Sequence, residues 1–276
     1  MNQFIKSKES LIDIGVNLAH KSFNQTLTSV VGRAKDANIS KLIITGTSEQ
    51  ASKRGLDICK ELSEVYPDMI YTTCGLHPHY AEEFNDETYE NLKNIAADKR
   101  VVAIGETGLD FNRNYSLPKE QEKAFENQLQ LAAELKLPIF LHERDAHKKL
   151  LEIFCNYRDS IENAVIHCFT GNKEALFNYL DLDLYIGITG WICDERRGQG
   201  LKKIVRNIPI NRLMVETDAP YLIPKTIENA TKIQVNEPAF LPWVVKEIAS
   251  HRIESEAEIA RQTTINSTEF FNLKKS

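Results

Sequence analysis

The chain has 276 residues, of which 42% are hydrophobic and 26% charged, and its formal net charge is -5. That profile belongs to an ordinary folded protein. It excludes low-complexity and collagen-like chains, and the acidic balance excludes a protein that coats nucleic acid nonspecifically while leaving room for a local basic rim around a cleft. Cys59, Cys74, Cys155, Cys168 and Cys193 include no CxxC pair, so reduced thiols are expected rather than a disulfide framework or a thiolate zinc site. The first residues, MNQFIKSKES, are polar with no apolar stretch after them, and no run approaches the length needed to cross a bilayer; a cytoplasmic protein with no membrane partner is expected.

Apolar, β-branched runs alternate with helically spaced segments along the chain. LIDIGVNL from residue 11 is followed by TSVVGRAKDAN, KLIITGT from 41 by ASKRGLDICKELSEVY, MIYTTCG from 69 by TYENLKNIAADK, and VVAIGE from 101 by PKEQEKAFENQLQLAAELK. LPIFLH from 137 precedes AHKKLLEIFCNYR, NAVIH from 163 precedes NKEALFNYLDL, and LYIGITG from 184 precedes RGQGLKKIVRN. RLMVET from 212 is followed by PAFLPWVVKEIASHR and EAEIARQTTINSTEFF. The clearest helix is the one after VVAIGE, where Ala124, Phe125, Leu129, Ala132, Ala133 and Leu135 recur at three- and four-residue steps.

The strand runs are continuously apolar rather than alternating, as in a parallel sheet covered by helices. Eight such units in one chain predict a (β/α)₈ TIM barrel, α/β in class, forming a single domain over residues 1–276. An open doubly wound sheet is the competing architecture, but DIGVNLAHKSF after the first strand has no GxGxxG phosphate loop.

In a barrel the C-terminal ends of the strands converge on one mouth, where the active site is built. Those ends carry Asp13 and Asn17 on the first strand, His77 and His79 past the third, Glu106 at the end of the fourth, His142 at the fifth, His167 at the sixth and Asp218 past the eighth. A single terminal histidine would pass as a hydrogen-bonded core residue. Imidazoles and carboxylates together at four strand ends point to a divalent metal: Zn²⁺, Mn²⁺, Ni²⁺ or Fe²⁺, or Mg²⁺ where oxygen ligands dominate.

The motifs GLHPH (75 to 79), AIGETGLDFNRN (103 to 114), LHERDAH (141 to 147), IHCFTG (166 to 171), IGITGWICDERRG (186 to 198), VETDAPYL (215 to 222) and NEPA (236 to 239) together resemble the TatD family. This family of metal-dependent deoxyribonucleases is a branch of the amidohydrolase-like barrels, and the likeness runs nearly end to end. It implies a metal-dependent phosphodiester hydrolase, a 3'-5' exonuclease on single-stranded DNA and RNA; separately, a monomer is expected. The resemblance further implies that Glu106, His142, His167 and Asp218 hold the ion, Mg²⁺ foremost with Mn²⁺ or Zn²⁺ as alternatives, and that Asp218 and Glu106 are catalytic, Asp218 as general base.

His77 and His79, in the loop past the third strand, are expected to touch the scissile phosphate or donate to the leaving oxygen, with a purely structural role as the alternative. Arg113, Arg144 and Trp191 are expected to bind substrate, because cations beside flat rings suit a strand whose bases stack while its phosphates are neutralised. Phe111, Tyr115, Phe169 and Tyr221 extend that set, and the alternative is that the arginines pair with Asp110, Asp145, Asp194 or Glu195. The chain departs from the family pattern in two places. Gly15 and Asn17 stand where many members carry first-strand histidines, so a metal position there should be weak, substrate-dependent or absent; Val235 stands before NEPA where relatives carry a basic residue. Two other functions fit a barrel of this kind: a C–N hydrolase or deaminase on a small cyclic substrate, and a catalytically silent binding scaffold.

Overall fold

The computed structural model describes residues 3–274. Eight parallel strands follow one another in a single sheet in chain order: β1 (Leu11–Val16), β2 (Ile39–Ile44), β3 (Ile70–Cys74), β4 (Val101–Asp110), β5 (Ile139–Arg144), β6 (Ala164–Ile166), β7 (Tyr185–Ile188) and β8 (Leu213–Val215). The segment after β8 returns to β1. Asp218 N–H donates to Gly15 O at 2.8 Å and Asn17 N–H to Ala219 O at 2.7 Å, so the stretch that closes the barrel is also the one that carries Glu216 and Asp218.

Helices α1 (Leu27–Asp36), α2 (Glu49–Glu61), α3 (Asp86–Ala96), α4 (Pro118–Leu135), α5 (His147–Cys155), α6 (Lys173–Asp181), α7 (Gln199–Ile204), α8 (Leu241–Ala249) and α9 (Glu256–Phe270) follow the strands, the last two after β8. Their starts are encoded locally. Ser48, Asn85 and Asn172 accept the backbone N–H three residues on, Pro118 occupies the first turn of α4, and Ser255 with Glu258 forms a capping box.

The apolar residues divide into two clusters, as the two faces of a barrel strand require. Ile12, Ile14, Ile43, Tyr71, Val102, Phe140, Val165 and Met214 pack together with Phe270 and Phe271 from the end of α9, while the larger cluster lies between strands and helices. Helix α4 does more than cover the sheet. Gln121 Oε1 accepts Asp110 N–H at 2.8 Å, and Gln128 brackets Leu76 by accepting its N–H at 2.8 Å and donating to its carbonyl at 3.0 Å. These buried amides fix the chain where it leaves β3 and β4.

The order of strands and helices is as expected from the sequence, with corrections at two strand ends. His142 does not end the fifth strand but lies inside β5, which runs on to Arg144. The fourth strand does not end at Glu106; it runs on to Asp110, and Glu106 lies inside it. Gly105 and Gly108 sit at φ +133° and +138°, and a Cβ on either would strike the backbone of Phe140 or His142 on β5. Only glycine fits there. The two glycines interrupt the apolar run, so the strand looks shorter in sequence than it is.

Candidate metal centre at the mouth of the barrel

Glu106 is buried on β4, and one of its oxygens gathers three imidazoles. Its Oε1 lies 2.8 Å from His142 Nδ1, 3.3 Å from His77 Nε2 and 3.5 Å from His167 Nε2. The rings arrive from β5, from the turn after β3 and from the residue after β6. Asp218 completes the group: a carboxylate oxygen of Asp218, a ring nitrogen of His167 and the Cys168 sulfur lie within 4.8 Å of one another. All these side chains line one cavity of about 820 Å³ at the C-terminal mouth, so residues far apart in the chain are brought together as the strand-end pattern required.

The His167 and His77 rings are held by partners outside the cluster. His167 Nδ1 lies 2.6 Å from Glu216 Oε2, and the other oxygen of Glu216 accepts the Cys168 N–H at 2.6 Å. Glu216 is fully buried, and a Cβ on Gly15 or on Gly187 would overlap its carboxylate oxygens or nearly so. Only glycine at position 15 leaves room for the Glu216 carboxylate, and glycine has no side chain to offer a metal. His77 Nδ1 accepts the His79 N–H at 3.1 Å, so its proton sits on Nε2 and faces Glu106. His79 Nε2 pairs with Asp110 Oδ2 at 2.7 Å, and Asn17 donates to Asp218 Oδ1 at 3.0 Å.

The electrostatics follow from this crowding. Burial works against ionisation of Glu106, yet His77 and His167 hold its carboxyl well below the usual range. Burial likewise opposes charge on His142 and His167, but Asp110 and Glu106 carry the first up to about 9, and Glu216 and Glu106 carry the second to about 10. Burial lowers His77 to about 4, beyond what Glu106 can offset. Asp218 is raised to about 7 by burial, with Glu106 and Glu216 adding repulsion that His167 only partly opposes. Asp13, buried against Thr217, is pushed up to about 8 by burial and helps close β1 on the chain after β8. The mouth thus concentrates carboxylates and recruits protons to two imidazoles.

Those residues fit a divalent cation. His142 Nε2 is buried and has no hydrogen-bond partner among the described residues; Asp110 Oδ2 stands 3.5 Å away without forming a bond. An unpaired imidazole nitrogen in such a place is costly unless an ion takes it. Two sets of groups could hold a metal by their spacing: His77, Glu106 and His142, and His167, Cys168 and Asp218.

The chain matches the profile of the TatD related DNase family over residues 12–272. It belongs to the TatD family. Among curated relatives, the 3'-5' ssDNA/RNA exonuclease TatD of Erwinia tasmaniensis is 44% identical over 263 residues, spanning 95% of this chain and 100% of the relative. The protein of the same name from Yersinia pseudotuberculosis matches to the same extent. Among solved structures, a TatD family hydrolase from Entamoeba histolytica superposes with a TM-score of 0.86 at 25% identity, covering 96% of this chain and 99% of that one. A TatD homologue from Escherichia coli k12 gives 0.85 at 28%, covering 96% and 98%.

The TatD mouth distributes the expected substrate-binding residues unevenly. His77, His79, Arg113 and Arg144 line the cavity; Trp191 does not. Its indole N–H donates to Arg197 O at 3.1 Å, and the guanidinium carbons of Arg197 and Arg144 lie 4.3 and 5.0 Å from its ring centre. Asp194 accepts the backbone N–H groups of Arg196 and Arg197 and pairs with the Arg197 and Lys225 side chains, so CDERRG is an internally paired loop. Phe169 is core, edge-on to Tyr179. The exposed rings lining the mouth are Tyr80, Tyr115 and Tyr221.

Sequence reading missed Glu216, Asp110 as a partner of His79, and Tyr80, together with the basic side chains of Lys21 and Arg54 on the cavity wall. Glu216 had a signal, since it lies two residues before Asp218 in VETD at the end of an apolar strand. Val235 packs against the core, and its neighbour Asn236 donates to Thr217 O at 3.0 Å, holding the turn that carries Asp218.

Proposed function

We propose that this chain is a divalent-metal-dependent exonuclease that removes nucleotides from the 3' end of single-stranded DNA and RNA, with Glu106, His142, His167 and Asp218 as ligands and Mg²⁺ as the ion, replaceable by Mn²⁺ or Zn²⁺. The observation that carries it is the convergence of three imidazoles on the buried Glu106 carboxylate beside Asp218. The family and the relatives' common name supply the substrate class. Among the described residues no helix is long and apolar enough to cross a membrane; a monomer working in the cytoplasm is part of the proposal.

A bound divalent ion supplies Lewis-acid polarisation of the phosphodiester and makes water easier to deprotonate. The chain's own groups do the rest. Asp218, oriented by Asn17 at the cavity wall, takes the proton of the attacking water. Glu216 keeps His167 in one orientation, and Glu106 does the same for His142 and His77. Arg113, Arg144, Lys21 and Arg54 neutralise phosphates around the cavity, and Tyr80, Tyr115 and Tyr221 offer faces for unstacked bases.

A time course on single-stranded oligonucleotides labelled at the 3' or the 5' end, with Mg²⁺, tests this. Mononucleotide should leave the 3' label first, and RNA should be cut as well as DNA. Turnover of dihydroorotate or a nucleoside with no cleavage of either polymer would replace the nuclease with a C–N hydrolase.

A further inference from the structure

Cys168 lines the mouth cavity at φ +46°, a left-handed backbone position uncommon for a residue with a side chain. Its N–H is tied to Glu216 at 2.6 Å, which fixes where the thiol sits. The Thr189 hydroxyl lies 3.5 Å from Sγ and already accepts the Trp191 N–H at 3.2 Å, so its own proton is available to the sulfur. Around that thiol stand a ring nitrogen of His167 and a carboxylate oxygen of Asp218, the three ligand atoms within 4.8 Å of one another. Asn17 engages Asp218 through Oδ1 alone, and Oδ2 has no hydrogen bond among the described residues.

The second set of groups in the mouth, His77, Glu106 and His142, contains only nitrogen and oxygen. The two sets therefore differ in the feature that sorts divalent ions, because thiolate is a soft ligand that Mg²⁺ does not take and Zn²⁺ or Cd²⁺ does. We infer that His167, Cys168 and Asp218 form a thiophilic cation position that takes Zn²⁺ or Cd²⁺ with the Cys168 sulfur as a ligand. On binding, the S–H bond breaks, a sulfur–metal bond forms and the proton passes to solvent buffer, with no change of oxidation state. An ion there occupies His167 and Asp218, so Zn²⁺ or Cd²⁺ held at this position keeps Mg²⁺ from those two ligands. The inference rests on the proposed metal centre for those two ligands and adds the sulfur.

The test is titration of the metal-free full chain with Cd²⁺, read by the ultraviolet charge-transfer band that a cadmium–thiolate bond produces. Wild type and Cys155→Ser, which alters an exposed thiol at the end of α5, should both develop the band, and Cys168→Ser should not. Cadmium NMR of the wild type needs no variant and should show a resonance shifted toward the thiolate range. A band that persists in Cys168→Ser, or Cd²⁺ bound by wild type with only a nitrogen and oxygen signature, overturns the sulfur ligand and leaves the nuclease reading intact. Failure of wild type to bind Cd²⁺ at all overturns the thiophilic position, while the Mg²⁺ oligonucleotide assay tests the nuclease reading separately.

Discussion

Replacing Glu216 by glutamine isolates the part of the centre that touches neither ion nor substrate. A carboxylate only accepts, so with Oε2 2.6 Å from His167 Nδ1 the ring carries a proton on Nδ1 and leaves Nε2 for a cation. The other oxygen takes the Cys168 N–H at 2.6 Å, which dictates how an amide must sit: oxygen toward Cys168, NH₂ toward His167. The ring must then accept at Nδ1 and hold its proton on Nε2, the nitrogen 3.5 Å from Glu106 Oε1, where a metal ligand has to be unprotonated. The fold keeps its hydrogen bonds and loses only charge assistance, costing about 1 kcal/mol. Metal affinity falls by about 10–100-fold, the usual consequence of removing a carboxylate behind a metal-binding histidine, or about 1.4–2.7 kcal/mol. Calorimetric titration with Mn²⁺, set beside a thermal melt, reads both quantities. A folded Glu216→Gln protein with wild-type Mn²⁺ affinity would refute the reasoning.

Metal affinity should also depend on pH with a definite sign. His142, raised to about 9, and His167, raised to about 10, carry protons at neutrality in the metal-free protein, so an ion must displace them. Affinity then weakens as pH falls, by up to ~tenfold per pH unit for each proton released, and titrations in buffers of different ionisation enthalpy should register the release; affinity independent of pH would contradict it. Gly15→Ala forces a methyl into the Glu216 carboxylate and should destabilise by about 1–3 kcal/mol in a denaturant melt. Gly200→Ala, in α7 with nothing near its added Cβ, should instead stabilise by about 0.4–1 kcal/mol; equal effects of the two substitutions would be inconsistent with the packing described. Tyr115→Ala and Tyr221→Ala should raise KM for single-stranded oligonucleotides by an amount matching about 1–3 kcal/mol of lost stacking, with kcat preserved. A loss confined to kcat would assign those rings another role.

The barrel was legible because parallel strands buried on both faces read as unbroken apolar runs, and α4 because its apolar residues keep a helical period. The gathering of Glu106, His142, His167 and Asp218 in one cavity was legible as well, since side chains at the C-terminal ends of barrel strands face one mouth. Less visible was anything that depends on which neighbour fills which gap. Glu216 looks like one more acid between Val215 and Thr217 until the glycines at 15 and 187 are seen to make room for it. Residues after Glu106 looked like a loop because glycines adopt positive φ inside β4. Trp191 looked like a stacking surface, but the fate of an aromatic ring depends on what reaches its faces, and here Arg144 and Arg197 do.

The central claim is that Glu106, His142, His167 and Asp218 hold one catalytic cation. Anomalous diffraction from crystals soaked in Mn²⁺ tests it most directly. The account predicts a peak within bonding distance of the Glu106 carboxylate and of nitrogens of His142 and His167, with Asp218 alongside. A peak bound elsewhere, with those four side chains unengaged in crystals of active protein, would contradict it.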